Sequence, residues 1–362
     1  MLYIYIMENF INKKKKITKN LSNVSKNFYK KYKDNLVNRN CFICNNKTST
    51  ILHKSHTFYN TVQCEKCLSQ RIDPIFNEET LTIFYEDKDC AFSDSNNYYK
   101  EITKLLINKF DEKKYYDEIK NDIKFNHYFK KMQKVVNYIK KYPENTFNIL
   151  EVGCSYGLTL IILNKLLENI DKKVNIYGID LNSEANFILN NKFSNITIIP
   201  SCPLNKLKEK VDIKFNLIMA FELIEHLFNF QEFIKDINEL LTKKGIFYFS
   251  CPNGQSIPMS DSCDNNLSFM QHSLSPPMHI NEFNPRNVTL FSYINNFNVI
   301  SIETKGKLDL DLIIHSKLDK NSKLNNWKDL FLSLEPKQKD TLQDIINHNL
   351  ISSTMEVFIE KQ

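Results

Sequence analysis

Glycine is scarce in this chain, with six among 362 residues, against a usual share of about 7%. The shortage excludes a collagen-like chain, a glycine-rich linker protein and a β-sandwich dense in tight turns. No glycine precedes residue 153. We therefore expect the six glycines to stand where the backbone needs a positive φ or where a ligand approaches the main chain closely.

Long apolar runs and an export signal are also lacking. No run approaches the roughly 18 apolar residues of a membrane-spanning helix, so no transmembrane segment is predicted. Lysines 13–16 follow the short apolar N-terminal stretch, whereas a secretory signal places its charges first. Nine cysteines, an odd number, indicate a reducing compartment rather than a disulfide framework. The sequence predicts a cytoplasmic protein and indicates no oligomeric state.

Positive charge is concentrated in the first 40 residues, which hold ten basic and two acidic side chains. Because the whole chain carries +6, the remainder carries −2. A basic arm of this kind can bind nucleic acid or an anionic membrane, or it can stay solvated. The near-neutral remainder argues against a long positive track for RNA. Nucleic acid is therefore a possible partner that the charge pattern does not favour.

Five segments differ in composition and periodicity, in a chain whose 42% hydrophobic residues can bury a large core. The predicted division is a basic arm at 1–40, a four-cysteine zinc-binding module at 41–95, a helical linker or cap at 96–145, an α/β core at 146–305, and a C-terminal cap with the last strand at 306–362.

Short apolar runs alternate with helical periodicities from residue 146 onward. This alternation predicts an α/β fold with a doubly wound, mostly parallel sheet. Seven strands are expected, at residues 148–152, 174–179, 196–199, 215–220, 245–250, 298–304 and 355–360. Helices are expected at residues 158–168, 183–191, 231–241 and 285–295.

A glycine-containing loop joins the first predicted strand of the core to the helix that follows. Three residues separate Gly153 from Gly157, which departs from the G-x-G-x-x-G spacing of dinucleotide-binding loops. Such a loop lets a ligand approach the backbone at the N-terminus of a helix. The second strand ends at Asp180, whose carboxylate can accept hydrogen bonds from both hydroxyls of a ribose.

With Ser155 between its two glycines, the loop resembles the E/D-x-G-x-(G/S)-x-G loop of class I S-adenosylmethionine methyltransferases. That resemblance implies a Rossmann-like methyltransferase sheet in the core. It also implies that the loop wraps the amino-acid end of S-adenosylmethionine. The implied cofactor contacts are Glu151, Gly153, Cys154, Ser155, Gly157, Asp180, Leu181 and Phe221.

The core resembles one broad methyltransferase branch beyond this loop as well, over residues 146–305. The similarity follows the pattern E-x-x-E-H-L, then P-N after the fifth strand, then H-x-x-x-F, which here begins at Glu222, Pro252 and His279. Lys244 stands where the turn before the fifth strand often has glycine. Residues 200–202 replace the acidic position that often contacts adenine, so no adenine contact is predicted.

Two carboxylates and two imidazoles are expected to meet at the carboxyl edge of the sheet: Glu222, Glu225, His226 and His279. If residues 222–226 are helical, the first three share one face. The cluster resembles the metal site of two methyltransferase groups, one acting on the 2′-hydroxyl at small-RNA 3′ ends and one on a catechol in ubiquinone synthesis. Mg²⁺ or another divalent ion is one interpretation. The alternatives are acid–base or orienting roles, and a purely structural role.

Four cysteines are paired as Cys41-x-x-Cys44 and Cys64-x-x-Cys67, with 19 residues between the pairs. This spacing predicts a closed, structural Zn²⁺ site with four thiolates. Such knuckles usually have glycine after the second cysteine. Here Asn45 tolerates a positive φ, whereas Leu68 is less suited to it.

The run after the second cysteine pair, residues 70–87, resembles the segment that follows a zinc ribbon in many bacterial methyltransferases associated with sugars and surface polysaccharides. Together the resemblances imply methyl transfer to a hydroxyl of a sugar or related small molecule. The expected partner is therefore a small-molecule or glycan acceptor. The alternatives are metal-dependent RNA 2′-O-methylation and sugar C-methylation. A non-catalytic zinc adaptor is the remaining hypothesis, which the intact cofactor loop disfavours.

Overall fold

A computed structural model describes residues 23–54, 59–86, 99–104, 106, 122–168, 170–181, 193–259, 273–306, 309–315 and 324–362. Most of the predicted basic arm, residues 1–22, lies outside the described residues. The helix predicted at 183–191 lies outside them too. Among the described helices, none combines the length and apolar character needed to cross a bilayer.

Two small antiparallel sheets and two helices form the N-terminal part. The strands are β1 (Leu36–Val37), β2 (Ser49–Lys54), β3 (Asn60–Cys64), β4 (Gln70–Ile72) and β5 (Ile75–Phe76). Strand β1 pairs with β5, and β2, β3 and β4 form the second sheet in that order. Helix α1 covers residues 23–32, and α2 covers Glu78–Glu86. Phe28 of α1 packs edge-on against Phe76 and Phe84, which closes a small aromatic core.

Two helical segments precede the main sheet: α3 at residues 99–104 and α4 at Ile123–Lys141. Asp122 caps α4, because its side chain accepts a 2.8 Å hydrogen bond from the Phe125 N–H. Met132, Val135 and Ile139 are fully buried, and their spacing of three and four residues places them on one face. That face packs into the core on one side of the main sheet.

Seven strands form the main sheet, in the order β8–β7–β6–β9–β10–β12–β11. Their bounds are β6 (Thr146–Val152), β7 (Lys173–Ile179), β8 (Ile196–Ile199), β9 (Phe215–Phe221), β10 (Leu241–Pro252), β11 (Phe297–Thr304) and β12 (Thr354–Lys361). Strand β12 runs antiparallel to both of its neighbours, and the other neighbouring pairs are parallel. The predicted α/β class with a mostly parallel seven-stranded sheet is confirmed.

Helices cover both faces of the sheet. They are α5 (Leu158–Leu167), α6 (Leu207–Lys210), α7 (Phe230–Leu240), α8 (Pro285–Ile294), α9 (Asp309–His315), α10 (Leu324–Ser333) and α11 (Pro336–His348). Separate apolar clusters fill the two sides of the sheet. Every residue of β9 is buried, which explains why its sequence is a continuous apolar run.

Strand β10 begins four residues before the predicted start at 245. Its pairing with β9 shifts register between Leu241 and Ile246. Within the shift, Lys244 has a φ of 60°, the left-handed conformation that a lysine rarely adopts. The turn expected at Lys244 and Gly245 is therefore a local irregularity inside a longer strand.

Asp309, for which the sequence suggested no chemistry, is a buried structural residue. Its carboxylate accepts hydrogen bonds from the Ser353 N–H (3.1 Å), from Gln343 Nε2 (2.7 Å) and from the Ser352 hydroxyl. These contacts tie α9 and α11 to the segment that leads into β12. The C-terminal helices are thereby fixed to the edge of the main sheet.

Candidate active site

The strand order of the main sheet reverses at β6 and β9. The chain runs from β6 outward to β7 and β8, then returns to the other side of β6 to form β9. Ligands in open α/β sheets bind at such a reversal. The predicted cofactor residues and the predicted histidine cluster both follow strands that end at this edge.

The loop between β6 and α5 needs a left-handed backbone at three positions: Gly153 (φ 76°), Ser155 (φ 48°) and Gly157 (φ 73°). The Gly153 N–H donates to the Ile179 carbonyl at 2.8 Å, which fastens the loop to the end of β7. Gly157 is the N-cap residue of α5. The loop therefore leads directly into the N-terminus of α5, where a polar or anionic ligand group is favoured.

Gly178 on β7 leaves room for the loop to pack on the sheet. A Cβ at this position would lie 2.7 to 2.9 Å from Leu160, Ile198 and the Cys154 sulfur. Cys154 is 4% exposed, and burial raises the pKa of its thiol well above the usual range. Of the predicted cofactor residues, Cys154 can therefore offer its backbone but not an accessible thiolate.

Asp180 connects the end of β7 to the loop. Its carboxylate accepts a 2.7 Å hydrogen bond from the Ser155 N–H. A carboxylate has further acceptor positions, so this contact is compatible with hydrogen bonds to ribose hydroxyls. The neighbouring Leu181 is 55% exposed and can cover an apolar part of a ligand at the edge.

Glu151 lies buried at the end of β6 and accepts a hydrogen bond from the Thr159 hydroxyl. Burial raises the pKa of Glu151 to about 8, with the Thr159 hydrogen bond opposing this shift and the charge of Asp180 adding to it. The carboxyl group is therefore mostly protonated at neutral pH. In that form it can both donate and accept hydrogen bonds.

Phe221 ends β9, Glu222 follows it, and both adjoin a buried lysine that the sequence did not point to. Lys131 of α4 is 1% exposed, and its Nζ lies 4.7 Å from the centre of the Phe221 ring. Its ammonium donates to the Ser250 Oγ at 2.7 Å, and Ser250 donates to Glu222 Oε1 at 2.8 Å. Burial lowers the pKa of Lys131, and the charges of Glu222 and Glu356 oppose that shift.

Glu225, His226 and His279 form a compact cluster beside this chain of contacts. One potential ligand atom from each lies within 4.8 Å of the others. Glu225 Oε1 is 3.7 Å from His226 Nε2 and 4.0 Å from His279 Nε2. Glu225 is 1% exposed, and within the described part of the chain neither of its carboxylate oxygens has a hydrogen-bond partner.

Burial governs the protonation of this cluster. Burial, together with the charge of Glu222, raises the pKa of Glu225 well above its usual range. Burial and the neighbouring His279 lower the pKa of His226 to about 3. His226 is therefore neutral at physiological pH, so one ring nitrogen has a lone pair for a cation or a proton.

Three of the four predicted cluster residues, Glu225, His226 and His279, lie together in the structure. The fourth, Glu222, has other contacts. The segment expected to be helical contains only one 3-10 turn, Ile224–His226. Glu222 precedes that turn with a φ of 50° and hydrogen bonds to Ser250. Its carboxylate therefore faces the lysine–serine pair, because the left-handed residue turns it away from a common helical face.

The four predicted zinc ligands also meet. The sulfur atoms of Cys41 and Cys67 are 3.4 Å apart, those of Cys44 and Cys64 are 3.6 Å apart, and all four lie within 4.8 Å of one another. A tetrahedral zinc site with Zn–S bonds of about 2.3 Å needs sulfurs roughly this far apart. The donor set therefore fits Zn²⁺.

Both cysteine knuckles turn without glycine. Asn45 has a φ of 57° and Leu68 a φ of 61°. Their N–H groups donate at 2.9 Å to the carbonyls of Cys41 and Cys64, respectively, so the two knuckles have the same local geometry. The side chain of Leu68 is 43% exposed, which leaves it room in this conformation.

Comparison with protein families gives a match over the part of the chain that contains the loop and the cluster. Residues 125–302 match the family described as methyltransferase domain. This segment is a methyltransferase domain. It includes the cofactor loop, the three-residue cluster and helix α4, which contributes Lys131. No curated protein matches the chain.

Solved structures show similarity at low sequence identity. The plantazolicin methyltransferase BamL, in complex with a triazolic desmethylPZN analog and SAH, has a TM-score of 0.43 and 11% identity, covering 75% of this chain and 99% of its own. The plantazolicin methyltransferase BpumL in complex with SAH has a TM-score of 0.42 and 15% identity, covering 73% and 99%. These scores carry no conclusion about an acceptor.

The methyltransferase domain fits the cofactor expected from the loop. Gly153, Ser155 and Gly157 give the loop its left-handed turns at the N-terminus of α5, and Asp180 supplies an acceptor at the end of the next strand. The protein is accordingly an S-adenosylmethionine-dependent methyltransferase.

Proposed function

We propose that this methyltransferase transfers the methyl group to one of two neighbouring hydroxyls of a sugar or related small molecule, in glycan or surface-polysaccharide modification. The observation that carries the proposal is the buried Glu225 carboxylate, which faces two imidazoles and has no hydrogen-bond partner in the described part of the chain. Such a carboxylate costs several kcal/mol unless it is protonated or meets a cation.

Glu225, His226 and His279 would hold a divalent ion such as Mg²⁺ or Mn²⁺. Two imidazoles and one carboxylate leave coordination positions for a bidentate ligand, and two adjacent hydroxyls form such a ligand. When bound there, a divalent ion supplies positive charge that lowers the pKa of a coordinated hydroxyl. This interpretation favours O-methylation, since C-methylation needs no hydroxyl pair.

The chain's own residues would position the two reactants. The loop at 153–157 and Asp180 hold S-adenosylmethionine at the edge of the sheet, and the cluster orients the acceptor oxygen toward the methyl carbon. The carbon–oxygen bond forms as the carbon–sulfur bond breaks, and S-adenosylhomocysteine leaves. The hydroxyl proton would pass to solvent, because His226 as a ligand of the ion has no lone pair left to accept it.

The four cysteines are proposed to bind a structural Zn²⁺, as their compact arrangement supports. Four thiolates fill every coordination position of the zinc ion. The ion would therefore stabilise the fold and take no part in methyl transfer. Metal analysis of the purified protein is expected to give one zinc per chain.

Transfer of labelled methyl from S-adenosylmethionine to a panel of acceptors tests the function. Sugars and nucleotide sugars with two neighbouring hydroxyls are expected to accept the label, whereas analogues that lack either hydroxyl are not. RNA with a free 3′ ribose belongs in the panel, because it presents the same pair of hydroxyls. Label on RNA alone would replace the sugar proposal with RNA 2′-O-methylation, and label on carbon would contradict O-methylation.

A variant pair tests the cluster. Glu225→Gln removes the charge and keeps the size, so activity is expected to fall by about 100-fold or more because a bound ion loses its anionic ligand. Glu232→Gln on α7, an exposed carboxylate of the same domain, is the matched control. Binding of S-adenosylmethionine should stay unchanged in both. Full activity of the unaltered protein in the presence of a chelator would contradict the metal role.

A further inference from the structure

Helix α2, which follows the four-cysteine module, reaches the histidine cluster through one side chain. The hydroxyl oxygen of Tyr85 lies 3.1 Å from His226 Nδ1. The two rings pack edge-on, with centroids 5.7 Å apart at an interplanar angle of 85°. Tyr85 therefore contacts the side of the imidazole opposite to the ring nitrogen that faces Glu225.

The directions of the hydrogen bonds around Tyr85 fix the position of one proton. The Tyr85 hydroxyl donates to the Met278 carbonyl at 3.0 Å, so toward His226 its oxygen acts as an acceptor. The Met278 carbonyl, which can only accept, lies 3.2 Å from the same His226 Nδ1. Since both neighbours of Nδ1 accept, Nδ1 carries the proton.

A neutral imidazole has one protonated nitrogen, so His226 Nε2 is the unprotonated nitrogen in this arrangement. That nitrogen lies 3.7 Å from Glu225 Oε1, in the cluster that also contains His279. We propose that Tyr85 is a positioning residue, which holds His226 in the tautomer whose Nε2 is directed at the cluster as a ligand or proton acceptor. The proposal rests on the proposed function of that cluster.

The surroundings of Tyr85 keep it in place. Its neighbour Phe84 is buried and packs edge-on against Phe28 at 4.9 Å, which anchors α2 in the N-terminal aromatic core. Tyr85 itself is half-buried against this core. Because both its ring and its hydroxyl are fixed, the acceptor for His226 is preorganised.

The N-terminal part also holds the loop that carries His279. The Ile72 N–H donates to the Ile280 carbonyl at 3.0 Å, and the Glu282 N–H donates to the Gln70 carbonyl at 3.1 Å. The segment that begins just after His279 is thus hydrogen bonded alongside strand β4. The two histidines of the cluster therefore depend on contacts from the same N-terminal part.

The tautomer of His226 can be measured without any activity assay. Proton–nitrogen correlation spectra of protein labelled at its histidine ring nitrogens distinguish the two tautomers, and the spectrum of His226→Gln identifies the signal. We expect His226 to carry its proton on Nδ1 in the unaltered protein. A proton on Nε2 would overturn the proposal, whatever the result of any variant.

Tyr85→Phe removes only the hydroxyl. We expect the variant to lose the single defined tautomer of His226, to show about tenfold lower kcat and about tenfold weaker Mn²⁺ binding, and to bind S-adenosylmethionine as before. Tyr59→Phe is the matched control, because Tyr59 is a phenol buried in the same apolar cluster. Equal spectra and equal kcat for the two variants would overturn the proposal.

The readouts separate this proposal from the proposed function. If the unaltered protein binds no Mn²⁺, the metal role of the cluster fails, while the tautomer measurement still decides the role of Tyr85. If Mn²⁺ binds but Tyr85→Phe changes neither the tautomer nor the affinity, the proposed function stands and the positioning role falls.

Discussion

The two halves of the candidate site are built in different ways. The half predicted to bind the cofactor comes from residues 151–180, a single strand–loop–helix–strand unit shaped by left-handed main-chain turns. The histidine half combines side chains from α2, α4, the end of β9 and the loop before α8. The first half is therefore specified by local backbone geometry, whereas the second depends on the packing of the N-terminal part against the core.

A bulky residue in the cofactor loop should damage one half and spare the other. Gly153→Val places a β-branched side chain at a φ of 76° and close to Leu223, so S-adenosylmethionine affinity is expected to fall by about 100-fold or more. Calorimetric titration with the cofactor measures the loss, and Mn²⁺ binding should persist. Ser155→Gly, at a φ of 48° that glycine accepts, is the control expected to bind normally. Loss of Mn²⁺ binding in Gly153→Val would show that the halves are not independent.

Disruption of the cysteine cluster should produce the opposite pattern. Cys64→Ser removes one of four zinc ligands, and β4 then loses the support that holds the His279 loop. Activity is expected to fall by about 10- to 100-fold with a lowered Tm, while cofactor affinity changes little. Activity assays, thermal unfolding and cofactor titration check the three parts. Cys202→Ser, which lies outside the cluster, is the control and should behave as the unaltered protein does. Unchanged activity of Cys64→Ser would show that the histidine half does not depend on the cysteine cluster.

Glu151 gives the cofactor half a pH dependence. Its pKa is raised to about 8 in the folded protein from an ordinary value of 4.5, so between these pH values the folded state holds a proton that the unfolded state has released. Stability is therefore expected to fall as pH rises between these values, by about 1.4 kcal/mol per pH unit. Glu151→Gln should remove this slope. Urea unfolding at several pH values measures it, and parallel curves for the two proteins would show that Glu151 does not titrate in this range.

The sequence predicted the cofactor half well because its signals are local. Apolar runs with glycine between them located β6, β7 and the loop to within two residues of their observed bounds. Both glycines of the loop have the positive φ that was expected for the glycines of this chain. The prediction missed the early start of β10, because Lys244 takes a conformation that composition does not reveal.

The histidine half could be predicted only in part. Glu225 and His226 are adjacent and His279 was expected at the same edge, but Glu222 turns toward Ser250 because its φ is positive. Tyr85 lies in the run at 70–87 that resembles the segment after a zinc ribbon, but this resemblance implied no role for it, and Lys131 had no signal in the sequence. A tyrosine on an amphipathic helix and a lysine among others on α4 acquire their roles only when segments far apart in the chain pack together.

The position of β12 has a consequence for the order in which the protein can be completed during synthesis. Among the described strands, β11 pairs in the main sheet with β12 alone, and residues 305–353 must be translated before that partner exists. Until then β10 and β11 each present an open hydrogen-bonding edge. A nascent chain halted before residue 354 would be a target for chaperones, because β12, which pairs with both β10 and β11, has not yet been made.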